Sequence, residues 1–348
     1  MASKDFEVLQ VVSQVLYNGK AGLIDLDLNQ QQKVLNSYGY PMGLADYSAF
    51  ILGGLPKQGQ TLEEVKDLLL NEIKKLRAGE FDEKMLQANI NNFKLYELQS
   101  MESNEGRADI FVNSFINGTN WEDEVTAIDR MAKLTKEDIV AFADKYLKED
   151  NYAVVYKKQG KDPNEKKMTK PEITPIVSNR DVASPFLTSI QENAVKPIEP
   201  VFLDFKKDMS QLTAKSDIPV LYKQNTTNDL FQLIYVFDMG NNNDKALGTA
   251  FDYLEYLGTS DMTPEELKSE FYRLACTFYV SPGNERTYVV LSGLNENMPA
   301  AMQLFEKLLA DAQANKEAYN NLVGDILKAR ADAKLNQGQN FSRLMNYA

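Results

Sequence analysis

Three short runs fix where helices must begin. In Thr61-Leu62-Glu63-Glu64 the threonine hydroxyl can take the amide three residues on while the glutamate reaches back to the threonine amide, so two orphaned donors are satisfied together. Thr135-Lys136-Glu137-Asp138 caps a second helix. Thr263-Pro264-Glu265-Glu266 is the firmest of the three, because proline at the first helical position gives up an N–H that has no partner there anyway. Apolar residues recur at helical spacing behind the first two: Val65, Leu68, Leu69, Ile73 and Leu76, then Ile139, Phe142, Ala143 and Tyr146. Phe6, Leu9, Val12, Val15 and Leu16 place another helix over 5–17, followed by a turn at 18–22 and a second short helix to about Tyr38.

Between these helices lie short apolar runs bounded by turn residues, which read as strands. Residues 47–54 form a buried strand ended by Gly53-Gly54, and 151–156 a strand that returns to the sheet. Further on, 218–222, 229–237, 277–280 and 286–292 read as strands, and 245–257, 297–313 and 316–335 as helices. A long helical stretch from Asp82 to about Ile116 is bent around Asn104-Glu105-Gly106. The fold class is therefore α+β, built as two-layer sandwiches. Phe50–Leu55 and Val289–Leu294 each precede a pair of helices, a weak internal repeat.

With 348 residues, 43% hydrophobic and 25% charged, the chain has room for two ordinary domains. Lysine and proline accumulate from Lys157 to about Met209 (Lys161, Pro163, Lys166, Lys167, Pro171, Pro175) with no sustained period. That texture divides the chain into a first domain over 1–158, a linker over 159–209 and a second domain over 210–348. The formal charge of −12 argues against nucleic acid or an anionic membrane as partner, since both require a basic face. No run approaches the roughly 18 apolar residues of a membrane span. Residues 1–30 lack the zones of a signal peptide. Met1-Ala2-Ser3 runs straight into a helix and the other end stops inside one, so the chain reads as a piece of a longer protein, with any export signal upstream.

The chain contains no histidine and one cysteine, Cys276. A Ser-His-Asp triad, a Cys-His pair and cysteine-based metal sites are all excluded. Cys276 stands in the apolar run 274–278 and reads as a small buried hydrophobe.

Residues 247–259 read Leu-Gly-Thr-Ala-Phe-Asp-Tyr-Leu-Glu-Tyr-Leu-Gly-Thr. This resembles the inverted zinc motif of the insulinase/pitrilysin-type (M16) peptidases, Gly-x-x-His-x-x-Glu-His on a helix shortly before Gly-Thr. Leu134–Ile139 leading into Ala143–Leu147, and Glu102-Ser103 leading into Arg107-Ala108, resemble the same family. In that motif the histidines bind zinc and the glutamate is the general base. Asp252 and Tyr256 stand at the two histidine positions and only Glu255 is retained. The family's third ligand, a downstream glutamate, would fall near 325–333, where the chain offers Asp325 and Asp332.

The resemblance implies the two-layer domains of the mitochondrial processing peptidase-like metallohydrolases. Residues 1–158 would be the second domain of a clamshell's first half, lacking its opening strand, and 210–348 an inactive, truncated third domain. It implies no catalytic or metal-binding residue in this chain, Asp252, Glu255 and Tyr256 being degenerate motif positions. Zinc is expected in the catalytic domain of the parent. The implied partners are peptide substrates and a catalytic M16 domain, in the same polypeptide or in a partner subunit. The alternative is a purely structural subunit with no role in substrate binding.

Overall fold

The computed structural model describes residues 4–43, 47–161, 168–176, 178 and 180–347. Met1-Ala2-Ser3 and, in the lysine- and proline-rich stretch, Pro163, Lys166 and Lys167 lie outside them. The backbone forms two compact units: Met1–Val154 with Asn225–Ala348, and Val155–Gln224.

The first stretch of the larger unit opens with α1 (Lys4–Leu16), then a π-helical turn over Asp25–Gln30. The turn stops well short of Tyr38, because the backbone of β1 (Asn36–Gly43) pairs instead with β2 (Ser48–Leu55) in an antiparallel hairpin. Ladder bonds available in the fold overrode the local helical pattern. β2 is half-buried rather than buried, since the sheet has only these two strands. Helices α2 (Leu62–Arg77), α3 (Lys84–Ser100), α4 (Asn104–Asn117), α5 (Trp121–Val125), α6 (Ala127–Met131) and α7 (Lys136–Tyr146) follow. The caps at Thr61 and Thr135 form with both reciprocal bonds, and the break between α3 and α4 falls at Ser103, whose hydroxyl accepts from Gly106 N–H at 2.9 Å. Leu16, Ile24, Leu28, Leu76 and Ile139 are fully buried at the centre of this helical core. Asn151–Tyr156 is not a strand: it has no ladder partner and lies exposed, because an apolar run becomes a strand only where another backbone meets it.

The smaller unit contains α8 (Pro185–Gln191), α9 (Phe205–Asp208) and a hairpin of β3 (Ser210–Thr213) and β4 (Pro219–Tyr222). Neither of its helices buries a side chain.

The second stretch of the larger unit runs β5 (Leu230–Phe237), α10 (Leu247–Leu254), α11 (Pro264–Arg273), β6 (Cys276–Pro282), β7 (Thr287–Leu294), α12 (Met298–Asp311), α13 (Lys316–Ala333) and α14 (Gln337–Tyr347). Its antiparallel sheet has the order β5-β7-β6. One sheet face packs Phe231, Val289 and Leu291 against Leu267 and Phe271 of α11 and Leu304, Phe305 and Leu308 of α12. With helices layered on one face of an antiparallel sheet, the chain is α+β. Two helical segments, a hairpin and a helix pair recur in both stretches, and the second carries one more strand, β5, ahead of them. The stretches meet where α3 packs on α11. Tyr272 is buried there, its hydroxyl donating to Asn89 Oδ1 at 2.8 Å and its carbonyl accepting from Asn92 Nδ2 at 2.7 Å.

Candidate functional site

The degenerate motif lies at the end of α10, which is shorter than its sequence period suggests. Tyr256 and Leu257 donate their amides to the carbonyls of Tyr253 and Leu254, at 3.0 and 3.1 Å, three residues back instead of four. The turn tightens and the helix ends at Leu254. Gly258 then forms an isolated antiparallel bridge with Gln313, whose N–H reaches Gly258 O at 2.9 Å. A Cβ at Gly258 would meet Met262 O at 2.3 Å, so only glycine fits. Thr259 is buried, and its hydroxyl donates to Asp261 Oδ1 at 2.8 Å. The Gly-Thr pair is thus explained by the tight turn into α11, without reference to catalysis.

Asp252 remains on the helix, Glu255 is its C-terminal cap and Tyr256 follows outside. Both carboxylates are exposed, and Tyr256 is half-buried. Tyr253 anchors α10 to the start of α13: its hydroxyl donates to Asn315 O and accepts from Asn315 N–H, both at 2.7 Å, while its ring meets Tyr319 edge-on at 5.6 Å. That packing brings Asp325 into the neighbourhood. Burial raises the Tyr256 phenol above its ordinary pKa, and Glu255, Asp325 and Asp252 push the same way. Asp332 does not join them; it pairs with Lys328 of its own helix at 2.6 Å.

Three lysines that the sequence pattern did not single out complete the site. Lys57 pairs with Asp325 at 3.2 Å. Lys268, on α11, holds its ammonium 5.9 Å from the centre of the Tyr256 ring. Lys20, in the loop after α1, donates to Thr277 Oγ1. Burial lowers the pKa of both Lys20 and Lys268, and Glu255 is the strongest group opposing that in each case. Gln30 ties the π-helical turn to the same place, Nε2 donating to Glu255 O at 3.2 Å. No short-range signal could have found Lys20 or Lys57, because they reach the motif from the other stretch of the unit.

The donor set does not fit zinc. It offers no imidazole, its phenol is held in the protonated form, Asp325 already has an ammonium partner, and the Lys268 ammonium lies against the Tyr256 ring. Among the described residues no three His, Cys, Asp or Glu side chains gather as a metal site. Cys276 is buried, its thiol pushed up to about 11 by burial, so it is no nucleophile at neutral pH. Beside Tyr256, an open groove of about 660 Å³ runs between the Gly258–Pro264 loop and the Gln313–Glu317 segment.

No protein-family model matches the chain, and no curated protein does. Among the solved structures similar in backbone are three proteases. A protease from Helicobacter pylori is 22% identical, over 42% of this chain and 35% of that one, with a TM-score of 0.38. The periplasmic protease PqqL from Escherichia coli is 13% identical over 98% of this chain and 40% of its own, at 0.36. The ferredoxin protease FusC, solved as a mutant in complex with Arabidopsis ferredoxin, is 9% identical over 97% of this chain and 40% of its own, at 0.37. The chain spans 35–40% of the length of these proteins. The scores are low, and the site stands on its own geometry.

Proposed function

We propose that this chain is a non-catalytic portion of an M16-type zinc peptidase, forming clamshell wall and peptide-binding surface while hydrolysis is carried out by an upstream domain or a partner subunit. The observation that carries this reading is the charge at the motif turn. Asp252, Glu255 and Tyr256 stand in the motif's order before Gly258-Thr259, and Asp325 lies on α13, yet Lys57 pairs with Asp325 at 3.2 Å and the Lys268 ammonium lies 5.9 Å from the centre of the Tyr256 ring. A hydrolytic zinc site needs three protein ligands, an open position for water and a nearby base. In this reading residues 159–209 connect the two halves of the clamshell, and the groove beside Tyr256 is part of the peptide-facing wall.

Metal analysis after dialysis against zinc, with a quenched fluorescent peptide assay on the same sample, tests the proposal. The expected result is no stoichiometric zinc, no turnover, and measurable peptide binding. One tightly held zinc per chain, or chelator-sensitive cleavage, would overturn the non-catalytic assignment. Absence of peptide binding would favour the purely structural subunit.

A further inference from the structure

Helix α4 is capped at both ends yet barely packed. Ser103 caps its start, Gly118 closes its end in the left-handed conformation (φ 63°), and Ser114 is its only buried residue. Phe111 and Phe115 lie one turn apart, as do Val112 and Ile116, so the four form a single stripe. All are exposed, Phe115 at 88% and Ile116 at 64%. Trp121 of α5 extends the stripe by stacking on Phe111 with ring centres 4.5 Å apart, and Val125 lies exposed beyond it. A contiguous apolar patch of this kind marks an interaction surface.

Its surroundings specify the partner. Residues 104–131 carry six carboxylates against two arginines. Both arginines are engaged: Arg107 with Met101 O and Asn104 Oδ1, each at 2.5 Å, and Arg130 with Glu7, Thr126 and Asp123 O. The carboxylates of Glu124 and Asp129 press on Glu97 of α3, whose pKa is raised first by burial and then by Asp129 and Glu124. A second copy of this chain would bring the same acidic rim against itself, and an anionic membrane or nucleic acid would meet repulsion.

We infer that the α4–α5 face is a docking surface for a basic amphipathic helix of a protein partner. Its apolar side would cover Phe111, Phe115 and Trp121, and its flanking lysines or arginines would meet Glu97, Glu122, Glu124 and Asp129. Different elements carry this surface and the motif turn, and neither inference depends on the other.

Trp121 is the only tryptophan in the chain, so its emission reports the patch directly. The probe is a Leu/Lys amphipathic peptide of about fourteen residues, long enough to complete several helical turns, with a counterpart carrying Glu for every Lys. The Lys peptide should shift Trp121 emission to the blue, more weakly as salt rises from about 0.05 to about 0.3 M; the Glu peptide should not. Phe115→Ser should weaken binding roughly tenfold or more while leaving the thermal unfolding midpoint unchanged, and Glu122→Lys with Glu124→Lys should weaken it too. Ile234→Ser, on the exposed face of β5, should leave binding unchanged. The inference is overturned by no response to the Lys peptide, by equal binding of the Glu peptide, or by undiminished binding to Phe115→Ser. It is also overturned by a dimer in sedimentation equilibrium that Phe115→Ser abolishes, which would assign the face to a second copy.

Discussion

Two carboxylates act on both Lys20 and Lys268, Glu255 at the end of α10 and Asp25 at the start of the π-helical turn, and the two are set very differently. The Glu255 side chain is exposed, at the cap of α10. Asp25 is buried, and its Oδ2 accepts the amides of Asn18, Gly19 and Gly22 at 2.8, 3.1 and 3.0 Å. Desolvation raises its pKa to about 6 in spite of those bonds. Close by in the same electrostatic neighbourhood, the Tyr272 phenol is pushed far above its ordinary value, first by burial and then by Tyr96 and Asp25. Perturbed titration is often taken as a mark of function. In this molecule the strongest perturbations, at Asp25 and Tyr272, lie at the junction where the two stretches of the larger unit are joined, whereas the motif carboxylates Asp252 and Glu255 lie at the surface.

The sharpest way to break that contrast is Tyr272→Ala. It removes a buried ring and leaves Asn89 without its partner, so a loss of about 3–5 kcal/mol is expected. Urea unfolding followed by circular dichroism measures it, and a loss near zero would mean that the junction does not hold the unit together.

Asp25 should give the next largest effect, through pH. Its folded-state pKa lies above the unfolded one, so the folded chain binds that proton more tightly. The stabilisation is complete below about pH 4 and disappears as pH rises through about 6, on the order of 2–3 kcal/mol. Glu72, also raised mainly by burial, shifts in the same direction. Comparing urea midpoints near pH 4.5 and pH 7, Asp25→Asn should flatten the decline relative to the parent chain. An unchanged slope would show that the carboxyl is ionised throughout.

The motif turn should respond least. Asp252→Ala is expected to change stability by no more than about 0.5 kcal/mol, as exposed substitutions usually do. Glu255→Gln should also stay within about 0.5 kcal/mol, because its side chain is exposed. A larger effect from either in the same unfolding assay would move the motif turn into the same class as the junction.

Much of the fold was legible from local signals. The three capping boxes start α2, α7 and α11 at the expected residues, because a cap is complete within four positions and needs nothing from the rest of the chain. The placing of Glu255 at the cap and of Tyr256 beyond it follows from the short α10, whose length was not legible. It is set by Gly258 bridging to Gln313, a contact between segments far apart in sequence. The strand expected at 151–156 failed for the related reason that a strand needs a second backbone.

The sequence by itself determined the helix starts, the absence of imidazole chemistry and the acidic balance, all of which depend on residue identity or on neighbours within one turn. Tertiary structure alone decided that Asn36–Gly43 would be a strand, that burial would raise the Asp25 pKa to about 6, and that Lys57 would pair with Asp325. Each of these depends on desolvation or on partners brought together only when the two stretches of the unit pack, and neither quantity is encoded at any single position.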